Sequence, residues 1–526
     1  HLMKEVQQLL RHERSQSKVK TRRAWREWVA ESMAKGVGWA HRWTKPQQAW
    51  APTAVQLDQN WTGRPSALLA AETQRLEGLW KCASAPPAQH LPAAAVDQLP
   101  VPTVAQLRQA LQTFSQKTAE TFDGLHPAHW KILDDCHLQV FCEFLSCCEH
   151  FGHFLSQIRA ILSCLIPKHK TEAVGKPAYR GIGLLCSPYR IWAKVRVPEV
   201  QTWEASIQTP LLLHQKSRSV LETVFLQMAQ VESEKLNGVQ NHSAAIMLDL
   251  SNFYEHISRD QLVSRAAQLQ FPASLLPLMI NMYQSLRFVS LSGLAIKSSY
   301  PTRGIPAGCS FATYLVQVIC HQPLTNWQLR FRHTPCGMFI DDIMVRAMAE
   351  SYRQLINRLV PAIRALYTMI ETELECTVAH HKTAVVASHP KLQVQLHAAL
   401  GKMGGSLSGG SASNLGIDYF SGALRCHKSS RKQLVIRSKK LQKRRHKLRA
   451  LKSAGASVMK LWHTGLNSYG HYGTQVLGQS YPELHVTQSE FLRWAGATLE
   501  TRSRTLSLLV HDDPSWTTGV GPALLW

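Results

Sequence analysis

Asp341 and Asp342 stand side by side between two apolar runs, Met338-Phe339-Ile340 and Ile343-Met344-Val345. Surface turns often carry an acid pair, but these flanks bury the turn. Two like charges in an apolar setting repel each other and lose hydration, so the pattern demands a cation beside them. The segment Cys336 to Val345 reads as strand, tight turn, strand, with the acids at the turn. A second run, Ala244-Ala245-Ile246-Met247-Leu248, ends in Asp249, as expected of a buried strand whose last carboxylate reaches a site at its tip. Helical stretches at 261–286 and 311–321 separate the two acidic strand ends. One antiparallel sheet with a shared acidic edge is therefore expected.

Three carboxylates gathered in this way suit Mg²⁺, a hard ion that takes one or two carboxylates together with substrate phosphates. Such a site can hold two ions, one activating an attacking oxygen and one stabilising the leaving oxygen of an in-line phosphoryl transfer. The overall charge agrees with a phosphate-bearing partner. Lys and Arg number 59 against 35 Asp and Glu, a net +24. An excess of that size implies a polyanion, because neutralising its phosphates releases condensed counterions. With 45% hydrophobic residues the chain is no disordered tail. No apolar run reaches the roughly 18 residues of a membrane span.

The cations cluster at both ends. Residues 1–50 hold Lys4, Arg11, Arg14, Lys18, Lys20, Arg22, Arg23 and Arg26 with Trp25, Trp28, Trp39, Trp43 and Trp50. This segment reads either as a nucleic-acid-binding helix whose indoles stack on bases or as a solvated helix whose indoles dock it on the body. Between Asp418 and Glu483 there is no acid, while Lys439, Lys440, Lys443, Arg444, Arg445 and Lys447 crowd one stretch, expected to lie on nucleic acid. Pro86, Pro87, Pro92, Pro100 and Pro102 mark a linker over 83–102. After it, Thr103 and Gln106 form a capping-box pattern opening a helix that runs to about Lys117. The stretch from Phe141 to Phe154 contains Cys142, Cys147, Cys148, His150 and His153, but one helix cannot wrap four ligands around zinc, so core packing is expected and no metal is assigned. Twelve dilute cysteines read as reduced thiols of an intracellular protein, nuclear or cytoplasmic. The start at His1 reads as a piece of a longer polyprotein or gene.

Seven segments follow one another in order: Thr118 to Leu125, Leu165-Ile166-Pro167-Lys168 with Tyr179 to Leu185, Asp249-Leu250-Ser251-Asn252-Phe253-Tyr254-Glu255, Arg303-Gly304-Ile305-Pro306-Ala307-Gly308-Cys309-Ser310, Phe339-Ile340-Asp341-Asp342, His381-Lys382-Thr383-Ala384, and Asn414-Leu415-Gly416-Ile417-Asp418-Tyr419. Together they resemble reverse transcriptases, most closely those of non-LTR (LINE-like) retrotransposons, over Thr103 to Tyr419. The resemblance implies an α+β, right-hand polymerase: fingers at 103–245, a palm with an antiparallel sheet at 246–424, and a basic helical thumb at 425–526. Residues 1–82 would form a basic, Trp-containing N-terminal extension.

The same resemblance implies the roles. Asp249, Asp341 and Asp342 are the metal ligands and, with Lys382, the catalytic set; Lys382 would protonate the leaving pyrophosphate. Lys168 and Arg180 would meet the incoming triphosphate, and Tyr254 would exclude a ribose 2′-hydroxyl. Gly304, Pro306 and Gly308 shape the nucleotide pocket, where Ala307 replaces the family's Gln. Glu255 replaces its Asp. The implied activity is RNA-directed DNA polymerase of a retrotransposon with two Mg²⁺ ions, for which Mn²⁺ could substitute, using an RNA template, a DNA primer and dNTPs. Two other readings compete: a decayed or repurposed copy that only binds nucleic acid, and an RNA-dependent RNA polymerase. Ile340 before the acid pair and Tyr254 both speak against the last.

Overall fold

The computed structural model describes residues 2–45, 55–57, 60–81, 99–167, 179–215, 218–236, 242–407, 410–421 and 431–495, with single positions 503, 508 and 514. The chain starts with α1 (Leu2–Ala34), α2 (Gly38–Thr44), the hairpin β1 (Val55–Leu57) and β2 (Asn60–Thr62), and α3 (Pro65–Trp80). Helix α4 (Val104–Gln112) opens on a closed capping box. The Gln106 amide donates to Thr103 Oγ1 at 3.2 Å, and the Thr103 amide donates to Gln106 Oε1 at 2.9 Å. It stops short of Lys117 because Thr113 and Phe114 close tight bonds to Ala110 and Leu111, and the apolar face ends at Phe114. Helix α5 (Asp135–Phe151) buries Leu138, Phe141, Cys142, Leu145 and Cys148, so these two cysteines are core residues.

Two sheets follow. The first consists of β3 (Ala160–Pro167), β4 (Tyr179–Leu185), β6 (Leu286–Leu291) and β7 (Leu294–Lys297) in the order β4-β3-β6-β7. Helices α6 (Ser187–Ser206) and α7 (Val220–Leu236) lead out of it. The second sheet is built on β5 (His242–Ser251), which is followed by α8 (Phe253–His256), α9 (Arg259–Gln268) and α10 (Leu276–Tyr283). After α11 (Ala312–Arg330) come β8 (Cys336–Phe339), β9 (Asp342–Ala349), α12 (Tyr352–Thr372), β10 (Thr377–Val378) and β11 (Ala384–Ala387). Helix α13 (Pro390–Leu400), β12 (Ser406–Leu407), the hairpin β13 (Ala412–Asn414) and β14 (Ile417–Tyr419), and α14 (Lys432–Ser453) complete the core elements. The second sheet runs β12-β11-β5-β9-β8, with β10 also on β5.

Alternation along β5 determines what covers each face. Ala244, Ile246 and Leu248 join Ile343, Val345 and Ala347 in the main core, which α11 and α12 complete with Leu315, Ile319, Leu359, Ile363 and Leu366. Ala245 and Met247 face the other way and pack with Met344, Val386, Ala412 and Tyr419 under the β13–β14 hairpin. A strand covered on both sides must be apolar throughout, which explains the unbroken run from Ala244 to Leu248. Its register is then strongly specified, because a one-residue slip would exchange the two faces. The resulting alignment sets Asp249 opposite Asp342.

One expected placement changes. The β6–β7 hairpin, placed by sequence order inside 246–424, belongs to the first sheet, where β6 lies parallel to β3. The described parts of the N-terminal extension pack on the body at two places. Leu68, Leu69, Leu76 and Trp80 of α3 pack on Leu165, Tyr179, Val289 and Leu291 of the first sheet. Val29 and Ala40, with Trp25, Trp28 and Trp43, pack instead on Leu441, Leu448, Leu451, Trp462 and Phe491 around α14. The linker falls largely on residues 82–98, outside those described. Among the described residues no helix is long and apolar enough to cross a membrane.

Candidate active site

The acid turn is a hairpin closed by the pair Phe339 and Asp342, leaving Ile340 and Asp341 at its tip. Ile340 adopts φ +59°, a left-handed conformation that β-branched residues rarely accept. Two contacts hold it there. The Leu250 amide donates to the Asp341 carbonyl at 3.1 Å, tying the tip to β5. The Ile340 amide donates to His214 Nδ1 at 3.3 Å, and His214 Nε2 donates to the Thr313 carbonyl at 3.3 Å. Burial lowers the pKa of His214 and so keeps it neutral, the state that leaves Nδ1 free to accept. Sequence reasoning missed His214, since nothing near it in the chain marks it.

The carboxylates are crowded. Burial, then Asp341 and Asp249, push the Asp342 carboxyl up to about 7, while Lys382 opposes the rise. Asp341 is raised too, chiefly by burial and further by Asp249, against the pull of Arg180 and Lys382. Lys382, in the short turn His380–Lys382, donates from Nζ to both Asp249 oxygens at 2.9 and 3.2 Å. It is therefore an ion-pair partner of Asp249 rather than a free proton donor. Among the described residues no group of three His, Cys, Asp or Glu is already arranged around a metal position. Acids that resist ionising beside one another nevertheless suit divalent cations, which would let both Asp341 and Asp342 ionise and would compete with Lys382 for Asp249.

Around the acids lies a glycine loop. Gly304 adopts φ +86°, and a Cβ there would sit 2.9 Å from the Glu255 carbonyl oxygen. Its amide donates to the Ile257 carbonyl at 2.8 Å, and the Ile305 amide donates to the Tyr254 carbonyl at 2.9 Å. Gly308, at φ +119°, would carry a Cβ 2.9 Å from the Gly183 carbonyl oxygen. The Gly183 amide in turn donates to the Ala307 carbonyl at 2.8 Å, and Pro306 fits where a Cβ on Gly183 would stand. The loop thus bridges α8 and β4 through its backbone, which Ala307 supports as well as Gln would. Tyr254 is half-buried; burial and the charge of Asp341 raise its hydroxyl to about 12. Arg180, exposed on β4, lies within electrostatic reach of Asp341. Lys168 lies outside the described residues.

Glu255 points away from the acids. Its Oε2 accepts from Trp80 Nε1 and, at 3.1 Å, from Arg287 Nη1, and Arg287 stacks 4.4 Å from the Trp80 ring centroid. This buried cluster joins α3, β6 and α8 just behind Tyr254. Trp80 and Arg287 had no local signal in the sequence.

The model of the family described as reverse transcriptase (RNA-dependent DNA polymerase) matches residues 166–417, a span that contains the three acids, Lys382, the glycine loop, Tyr254 and Arg180 but not Trp80. Residues 166–417 are a reverse transcriptase domain. The domain is that of an RNA-directed DNA polymerase, a nucleotidyltransferase, and domains of this family use divalent metal ions. The fold is α+β, that of a right-hand polymerase, and the acid turn lies on the five-strand path through β5. Among curated proteins none matches the chain. Similar solved structures include apo telomerase from Candida tropicalis truncated from the C-terminal domain, at 10% identity and TM-score 0.36, covering 50% of this chain and 54% of that one. Another is telomerase from Candida albicans in complex with a TWJ fragment of telomeric RNA, at 11% identity and TM-score 0.37, covering 68% and 67%. This chain thus spans about half the length of the first. Likeness at these values is too loose to transfer any residue role.

The cations of α14 divide. Arg445 pairs with Glu490 at 2.5 Å, Arg444 donates to the Gly465 carbonyl at 3.1 Å, and Lys447 donates to the Trp43 carbonyl at 2.7 Å. These three, expected on nucleic acid, are half-buried and join α14 to its neighbours, because a crowded cationic helix also needs internal anchors. Lys439, Lys440 and Lys443 stay exposed.

Proposed function

We propose that this chain copies RNA into DNA for a non-LTR retrotransposon, extending a DNA primer on an RNA template with dNTPs. The observation that carries the proposal is the alignment of Asp249 with Asp342 across β5 and β9, with Asp341 bonded to β5 beside them. We assign the fingers to 103–245 together with α3 and the β6–β7 hairpin, the palm to the remainder of 246–424, and the thumb to 425–526. Two Mg²⁺ ions, or Mn²⁺ in their place, would supply activation of the primer 3′-hydroxyl and neutralisation of the departing pyrophosphate.

The chain's own residues do the rest. Asp249, Asp341 and Asp342 would hold the ions, and the reluctance of Asp341 and Asp342 to ionise beside one another favours a cation there. Lys382, paired with Asp249, is close enough to the acids for its charge to serve the phosphates as well once a cation neutralises Asp249. Arg180, across the cleft from Asp341, orients the triphosphate. The Tyr254 ring stands where a 2′-hydroxyl would project, braced by the Glu255–Arg287–Trp80 cluster, and so selects deoxynucleotides. Gly304 and Gly308 let the backbone approach the nucleotide closely. The enzyme would work where genome and transcript meet, in the nucleus or cytoplasm.

Primer extension on an RNA template tests this reading. Asp341→Asn is expected to lower the rate by about a thousandfold or more, the order expected when a metal ligand of the reacting phosphate is lost. A variant that extended primer as well as the parent would end the proposal.

A further inference from the structure

Helix α1 is built with two unlike faces. Arg11, Arg14, Lys18, Arg22 and Arg26 recur at steps of three, four, four and four residues. At 100° per residue they fall within about 120° of the helix circumference, in a line about 22 Å long. The acids of the helix, Glu5, Glu13, Glu27 and Glu31, all lie outside that arc. The cations that neutralise acids are on the other side or beyond the helix: Arg23 pairs with Glu27 at 2.9 Å and Lys35 with Glu31 at 2.5 Å. All five stripe residues are exposed, and among the described residues none of them forms an ion pair.

An unneutralised row of like charges on one helix raises its own energy by mutual repulsion. The fold does nothing to relieve it, although four acids on the same helix were available. The other end of α1 is firmly attached: Trp25 and Trp28 stack at 5.1 Å, Trp43 closes on Trp25 at 4.9 Å, and Val29 and Ala40 are buried against the thumb. The stripe therefore projects from the thumb as a fixed element.

We propose that this face of α1 binds the phosphate backbone of a nucleic-acid duplex, extending the thumb's grip on the template–primer. Charge complementarity names a polyphosphate. The choice of duplex over single strand follows from the aromatics. Proteins that hold single strands combine a basic groove with rings on which bases stack. The only aromatics of α1, Trp25 and Trp28, are spent on the thumb core, so the stripe offers charge without stacking. A duplex hides its bases and presents phosphates, which is what such a surface can read. The proposal rests on the polymerase reading for the identity of the duplex but not for its existence.

Binding without dNTPs keeps the two apart. A labelled RNA–DNA heteroduplex and a single-stranded RNA of equal length are titrated with the full chain at several salt concentrations. Replacing all five cations by Gln, a good helix former, is expected to lower the salt slope on heteroduplex by about 4 and to weaken binding at least tenfold. Lys20→Gln, on the opposite face, should change the slope by no more than about 1. Unchanged circular dichroism shows that the helix survives. A slope on heteroduplex that stays within 1 of the parent overturns the proposal, as does a loss confined to the single strand. A loss of binding to anionic vesicles with heteroduplex binding intact also overturns it, assigning the stripe to a membrane surface. Failure of primer extension in a variant that still binds with the parental slope would count against the catalytic reading and leave this one standing.

Discussion

The palm turn and the thumb helix use charge in opposite ways. In the palm three acids are forced together by strand register and partly desolvated, and Asp342 rises to about 7 as a result. On α14 the cations are spread along a helix, and those that are partly buried each find an oxygen: Arg445 at Glu490, Lys447 at Trp43, and Arg437 at the Tyr472 carbonyl, 2.5 Å away. Like charges crowd only where a ligand of opposite sign will arrive; elsewhere the fold neutralises them. Crowding, not charge number, is thus the mark of a site.

That contrast can be broken most directly on α14. If exposed and engaged cations differ in role, Lys439→Gln/Lys440→Gln/Lys443→Gln should weaken heteroduplex binding by about a hundredfold at physiological salt, three phosphate contacts being lost, with an unchanged melting temperature. Arg445→Gln should do the reverse, costing about 1–2 kcal/mol of stability by leaving Glu490 without its partner while the salt slope holds. Equal behaviour of the two variants in both measurements would erase the distinction.

A smaller effect is expected at the palm's hidden support. His214→Phe removes the acceptor of the Ile340 amide while keeping a ring, and the turn then loses one of two restraints. A fall of about tenfold in kcat with KM for dNTP little changed is expected, the loss of one hydrogen bond at a left-handed tip. His214→Asn, which restores an acceptor, should recover part of it. No change in kcat for His214→Phe would show that the Leu250 bond alone suffices.

A further effect is in stability against pH without metal. A carboxyl whose folded pKa is about 7, against 3.8 in the unfolded chain, favours folding fully below 3.8 and loses that contribution as pH rises through 7. The metal-free protein should therefore melt at lower temperature at pH 8 than at pH 5, and Asp342→Asn should flatten the trend. Divalent cation should restore the loss at pH 8. A wild-type slope identical to that of Asp342→Asn would mean that the crowding is relieved by other means.

Much of the palm was legible residue by residue. Asp249, Asp341 and Asp342 follow from acids that end or interrupt apolar runs, and the turn-forming pair Ser292-Gly293 joins β6 to β7 in one hairpin. What the runs could not show was which sheet that hairpin would join, because a parallel partnership with β3 depends on a crossover of more than a hundred residues. The basic segments were legible only in part. Charge density identified α14, but which of its cations would be exposed is decided by the neighbours that pack on Leu441, Leu448 and Leu451. The tryptophans of the N-terminal helices left two readings open; the structure packs Trp25, Trp28 and Trp43 on the cluster around α14.

The sequence alone determined the chemistry this protein can offer. Acids in apolar runs, glycines where a Cβ would collide, and an aromatic five residues after Asp249 are local statements, because desolvation and steric limits act on each residue where it stands. The tertiary structure alone decided which residues support that chemistry. His214 beneath the acid turn, Arg287 and Trp80 behind Tyr254, and α1 mounted on the thumb lie far from their partners in the chain. Only packing, which ignores sequence distance, brings them together.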